Sequence, residues 1–210
     1  EYFSEQVPLE AISTAVEELR TCLAAELSAD FADVFNGLNA DEDDLRADAM
    51  ATRAMQNRCL YYLAKAKPDR YAATVMDQAV RGQSMTMQQA ALEFAVHLQL
   101  LEHESALTKF AERWQETPLV MDKWFAAQAS APHADAVERV EELLTHPKFT
   151  LRNPNRVYAL LATFCRNSIA FHRADGQGYQ LILRIIRQLN TLNPQVASRL
   201  ITPFLQWRRF

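Results

Sequence analysis

His103-Glu104 carries the first half of a zinc-hydrolase signature. In H-E-x-x-H, two histidines one helical turn apart present their nitrogens on one helix face, and the glutamate serves as general base. Here the fourth position after His103 is Leu107, a hydrocarbon side chain that cannot bind a metal. The pair therefore reads as a polar helix junction. His97 lies in apolar helical text, His133 and His146 stand beside prolines, and His172 sits in Phe171-His-Arg-Ala-Asp175. No two of these histidines have ligand spacing, so no metal site is expected.

Nucleophilic chemistry fares no better. Cys22, Cys59 and Cys165 are far apart and odd in number, with no C-x-x-C pair. They read as three buried, reduced thiols in helical text, which suits a reducing compartment and a cytoplasmic location. No serine sits in a G-x-S-x-G elbow. Asp175-Gly-Gln-Gly178 lacks the preceding strand of a phosphate loop and reads as a helix-start turn. The acidic run Asp41-Glu-Asp-Asp44 lacks the glycine and terminal glutamate of a calcium loop. It reads as a solvated helix start, where carboxylates complement the macrodipole. No catalytic residue and no cofactor are expected in this chain.

Composition names the scaffold. Of 210 residues 49% are apolar, enough for a sizeable core, and only four are glycine. So few glycines exclude most hairpin-rich and dinucleotide-binding folds. The net charge of −4 argues against a nucleic-acid surface. No apolar run approaches the roughly 18 residues that span a bilayer, and Glu1-Tyr-Phe-Ser-Glu5 is not a secretion signal.

Periodicity fills in the elements. Leu9, Ile12, Val16, Leu19, Leu23 and Leu27 mark one helix face after Pro8. A short segment follows around Phe31–Phe35 and stops at Gly37. A long helix ends near Ala66, and Pro68 opens the next, which runs to Gly82. Thr86-Met-Gln-Gln89 reads as a capping box for a helix through Ala90, Phe94, Leu98 and Leu101. Further helices are expected over about Glu104–Gln115, Val120–Ala129 and Ala134–Thr145. Asn153-Pro154 and Asn193-Pro194 each place a capping asparagine before a first-turn proline, and Pro203 should kink or end the last helix. The expectation is all-α: about ten helices in an irregular HEAT- or armadillo-like superhelix, forming one domain over residues 1–210.

Charge is uneven. The first fifty residues are acidic, and Arg152, Arg156, Arg166, Arg173, Arg184, Arg187, Arg199, Arg208 and Arg209 make the last third basic. Such a surface suits a solvated face or contact with an anionic ligand or neighbouring domain.

Four stretches resemble the C-terminal helical domain of bacterial aminopeptidase N, a gluzincin zinc metallopeptidase family. They are Leu119-Val-Met-Asp-Lys-Trp-Phe125, Asn153-Pro-Asn-Arg156, Ala170-Phe-His-Arg-Ala-Asp-Gly-Gln-Gly-Tyr179 and Leu192-Asn-Pro-Gln-Val-Ala-Ser-Arg-Leu200. Their order and spacing match as well. The resemblance implies a parent that removes N-terminal amino acids from peptides, with zinc, H-E-x-x-H and G-x-M-E-N in domains this chain does not contain. It implies a non-catalytic domain that caps the catalytic domain of the same polypeptide and gates peptides into the enclosed cavity. Carried over by position, Gln195 and Arg199 line that cavity, with Arg156 and Asn155 in a matching motif. Tyr158 departs from the pattern, which places a basic residue there. By the same resemblance the family's domain extends beyond both ends of this chain, so an apolar seam and self-association are expected. The alternative is a free-standing helical-repeat scaffold for a protein partner; an all-α ligand-binding or regulator domain ranks last.

Overall fold

A computed structural model describes residues 7–39, 41, 43–133 and 135–210. The expectations that fall on Glu1–Glu5, on Glu42 of the acidic run and on Ala134 as a helix start lie outside the described residues. Among the described residues the chain is helical and has no strand. The elements are α1 (Leu9–Glu26), α2 (Ser28–Gly37), α3 (Ala47–Ala66), α4 (Pro68–Arg81), α5 (Met85–His97), α6 (His103–Trp114), α7 (Pro118–Ala129) and α8 (Ala136–Leu144). There follow α9 (Pro154–Val157), a π turn (Tyr158–Ala162), α10 (Thr163–Arg166), α11 (Ser168–Phe171), α12 (Gln177–Leu192), α13 (Pro194–Ile201) and a 3₁₀ stretch (Thr202–Arg209). This is the all-α helical repeat that the periodicity implies.

Proline and asparagine set the starts. Pro68, Pro118, Pro154 and Pro194 each open a helix, where the missing N–H has no partner to lose. Asn153 and Asn193 cap as expected: the Asn153 side chain accepts from the Asn155 and Arg156 amides, and Asn193 from the Val196 amide at 3.2 Å. α13 ends before Pro203 and a 3₁₀ stretch takes over. Two expectations need correction. The cap of α5 is Ser84, whose hydroxyl accepts from the Thr86 amide at 3.2 Å, so Thr86 lies inside the helix. That helix stops at His97, because Gln99 (φ 46°) and Glu102 (φ 68°) take left-handed backbone that a helix cannot continue.

The chain packs into two compact units. One is Thr14–Trp114, in which α2 to α6 pack in succession. Its core is tight because small side chains let helices approach: Ala64, Ala79, Ala91 and Ala95 are wholly buried around Leu60, Leu63 and Val75. Gln78 joins three helices, donating to the Asn57 side chain and the Met87 carbonyl, each at 2.9 Å. Along α1 the expected apolar stripe is exposed, with Leu19 at 59% and Val16 at 40%, and Cys22, expected to be buried, is exposed on the same helix.

The other unit comprises Gln115–Phe210 with the described residues up to Ser13. Phe125, Leu160, Leu161, Phe164, Phe171, Ile182 and Leu189 form its core. Gly178 is what lets α12 approach α11. A Cβ there would stand 2.5 Å from the Ala170 carbonyl and 2.6 Å from that of Phe171. Gly176 answers to a different need, a left-handed φ of 72° at the N-cap with open space around it. We therefore expect Gly178→Ala to destabilise the chain by about 2–3 kcal/mol through overpacking. Gly176→Ala should cost about 1–2 kcal/mol through backbone strain alone. Urea unfolding of both variants checks the order; equal losses would mean that the close approach does not matter.

Candidate functional site

Arg156 shows how this second unit holds its shape. Its side chain is 5% exposed, yet every donor group finds an acceptor. Nε donates to the Asp122 carboxylate on α7, one Nη to the Lys148 carbonyl, and the other to the Pro118 carbonyl at 3.1 Å. The guanidinium also lies over the Phe125 ring, 4.8 Å from its centroid. Asp122 and Arg156 thus clamp two of the four motif stretches to each other. Asn155, beside it at the helix start, is exposed.

His146 packs against the same cluster, 5.1 Å from the Trp124 ring and 5.5 Å from Phe125. Its Nδ1 faces the Lys148 amide at 3.1 Å, which assigns that nitrogen as the acceptor and the ring as neutral. Burial holds its pKa below the ordinary 6.5, and Arg156 and Lys148 push it the same way. His172 is also lowered by burial. Its Nδ1 meets the Tyr179 hydroxyl at 2.6 Å, and its ring packs on Phe171 and Phe210. Most of the third motif is thereby accounted for by packing.

The exposed polar groups lie elsewhere. α13 buries Val196, Ala197 and Leu200 and turns Gln195 and Arg199 outward, four residues apart on one face. Arg199 reaches Tyr158, forty-one residues away in sequence: its Nη1 stands 3.3 Å from the phenol oxygen, and its guanidinium is 5.8 Å from the ring centroid. Tyr158 begins the π turn. A π turn widens the helix by one residue, shifts the faces that follow, and often marks functional positions. Sequence reading missed this pairing; the signal present was the departure at Tyr158 itself. Arg199 spends one donor on the phenol, and a guanidinium has several N–H groups in a fork suited to carboxylate or carbonyl oxygens. The structure places Gln195 and Arg199 on one exposed helix face, sets Tyr158 against Arg199, and keeps Arg156 inside.

Among the described residues no group of three His, Cys, Asp or Glu side chains could hold a metal ion. His103 directs Nδ1 to the Leu100 carbonyl at 3.0 Å and Nε2 toward Glu104 at 3.4 Å, while Leu107, in the second ligand's place, is buried. No described helix is long and apolar enough to cross a membrane.

The whole chain, residues 1–210, matches the family described as "Domain of unknown function (DUF3458_C) ARM repeats". Aminopeptidase N of Escherichia coli is 37% identical over 201 residues, 95% of this chain and 23% of that protein. Aminopeptidase N of Haemophilus influenzae is 35% identical over 202 residues, 96% of this chain and 23% of its own length. The crystal structure of Legionella pneumophila aminopeptidase A in complex with aspartic acid superposes with a TM-score of 0.89 at 29% identity. It covers 99% of this chain and 25% of that one. The chain therefore spans about a quarter of the length of the relatives it matches.

Two outcomes follow from the buried groups. Arg156→Ala strands the Asp122 carboxylate and should destabilise the chain by about 3–5 kcal/mol in urea unfolding. A loss below about 1 kcal/mol would mean that the clamp carries no weight. Because His146 and His172 are held neutral with lowered pKa values, the unfolded chain binds more protons than the folded one in this range. Stability is thus full above the ordinary histidine pKa of 6.5 and falls as the pH drops through it toward the folded values. Urea midpoints measured across that interval should decline; midpoints that rise on acidification would contradict the assignment.

Proposed function

The chain belongs to the DUF3458_C family of ARM-repeat domains, and from that premise we propose that it is the non-catalytic C-terminal domain of a zinc-dependent aminopeptidase N. The observation that carries this reading is the alignment of nearly the entire chain with one quarter of aminopeptidase N. The catalytic domain of the same polypeptide is the first partner, and zinc belongs there. Residues 1–210 act as one domain that caps the active-site cavity and limits which peptides enter. Peptides are the substrates of the parent, and its location is cytoplasmic, in keeping with three free cysteines.

Gln195 and Arg199 line the cavity and meet the part of the peptide that extends away from the scissile bond. The guanidinium pairs with a backbone carbonyl or the terminal carboxylate. Tyr158 supports it from the side where the family's pattern, by resemblance, places a basic residue. Asn155 sits at the rim, and Arg156 contributes by fixing the helix start. Such contacts act on binding rather than on bond cleavage, so they belong in KM and in peptide-length preference.

The test uses the full aminopeptidase polypeptide. Arg199→Ala should raise KM for peptides of three or more residues by about tenfold, the effect of losing about 1.4 kcal/mol of binding. Its kcat on a single-aminoacyl chromogenic substrate and its zinc content should stay as in the parent. Unchanged kinetics across all peptide lengths would remove the gating role. Chelator-sensitive turnover by this 210-residue chain alone would remove the claim that it is non-catalytic.

A further inference from the structure

Within Thr14–Trp114, α4 and α6 flank an open groove of about 1320 Å³. That exceeds the roughly 300–1,000 Å³ of small-molecule sites and suits a polypeptide segment. Its floor is apolar, with Ala72, Met76 and Val80 of α4 facing Leu98 and Ala106. The last turns of the two helices meet, where Arg113 of α6 donates to the Val80 carbonyl near the end of α4, and residues at the start of each, Asp69 and Glu102, line the same groove. Charge is therefore sorted along the groove. Asp69 and Glu102 lie at the end where both helices start. Lys109 lies farther along α6, and Arg81, which is paired with Asp77 at 2.8 Å, lies at the far end of α4.

The loop at the acidic end is strained in a particular way. Gln99 and Glu102, both with positive φ, bracket Leu100 and Leu101. The result is that Leu100 is 4% exposed while Leu101 stands out at 82% on the groove's rim. Backbone strain of this kind points from structure to function, and here it presents a large apolar side chain beside an apolar floor.

We propose that this groove docks an amphipathic helix of a partner protein, with basic side chains at the end that meets Asp69 and Glu102. A helix is the occupant because the groove's walls are helices, whose backbone groups are already paired. An extended segment would bury amides with no edge to pair against, whereas a helix satisfies its own. From Asp69 to Arg81 the groove runs about 18 Å, the length of a helix of about 12 residues. The partner's apolar positions at i, i+3, i+4 and i+7 fill the floor, and Leu101 closes over them. Its lysines or arginines pair with the two carboxylates, which make no ion pair among the described residues. This surface is separate from Gln195 and Arg199 and does not depend on their role.

The probe is an acetylated, amidated peptide of about 12 residues with leucines at that spacing, lysines in its first turn and glutamates in its last. Its binding to this chain is followed by fluorescence anisotropy. A scrambled peptide of the same composition should bind at least about tenfold more weakly. Leu101→Asp, at an exposed position that leaves folding intact, should weaken binding by about tenfold, as should Asp69→Lys combined with Glu102→Lys. The latter pair should leave a version with glutamine in place of its lysines unaffected. Equal binding of the scrambled peptide, or no effect of Leu101→Asp, would overturn the proposal. So would sedimentation showing that the free chain self-associates and that Leu101→Asp makes it a monomer, since the occupant would then be a second copy.

Discussion

A buried guanidinium with nowhere to send its charge organises Gln115–Phe210. Water is excluded from Arg156, so its position is tolerable only where a carboxylate, two carbonyls and an aromatic face converge on it. Three of those partners, Pro118, Asp122 and Phe125, lie more than thirty residues away in α7, and the fourth, Lys148, lies in the loop after α8. Satisfying one side chain thus sets the start of α9 against α7. Everything that follows α9 in register inherits that placement, including the π turn and Tyr158.

The consequence for Arg199 is geometric. Tyr158 is two residues beyond Arg156, at the first position of the π turn. α13 is placed independently, by the Asn193 cap and by burial of Val196, Ala197 and Leu200. The phenol and the guanidinium meet because both helices are pinned from the inside. An exposed pair at 3.3 Å contributes little stability of its own, since solvent competes for both partners. Its value lies in holding a cation at one place on a surface.

Much of this scaffold was legible from residue types. An asparagine before a proline has one efficient use at a helix start, and both examples cap as their sequence implies. Few glycines and apolar residues at helical spacing point to packed helices. What was illegible depends on contacts between distant segments. Nothing local marks Asp122 as the partner of Arg156, or Tyr158 as the neighbour of Arg199. The stop of α5 at His97 was hidden because Gln99 and Glu102 are ordinary helix formers that tertiary packing drives to positive φ. The capping-box pattern points to Thr86, because Gln89 stands three residues on, whereas Ser84 has Met87 there and caps with its hydroxyl alone.

The four motif stretches invite a functional reading, but their side chains divide into two kinds. Asp122, Arg156, His172, Gly178 and Asn193 are occupied with packing, capping or buried hydrogen bonds. Each is intolerant for a reason that concerns the fold. Gln195 and Arg199 share a motif with Asn193, yet α13 turns them to solvent, where Arg199 makes an exposed contact with Tyr158 that adds little stability. A residue held in a family's pattern without a structural duty is the better candidate for contact with something outside the chain. On that criterion Gln195 and Arg199 stand out in the fourth stretch as polar side chains turned away from the core, with Tyr158 set against Arg199.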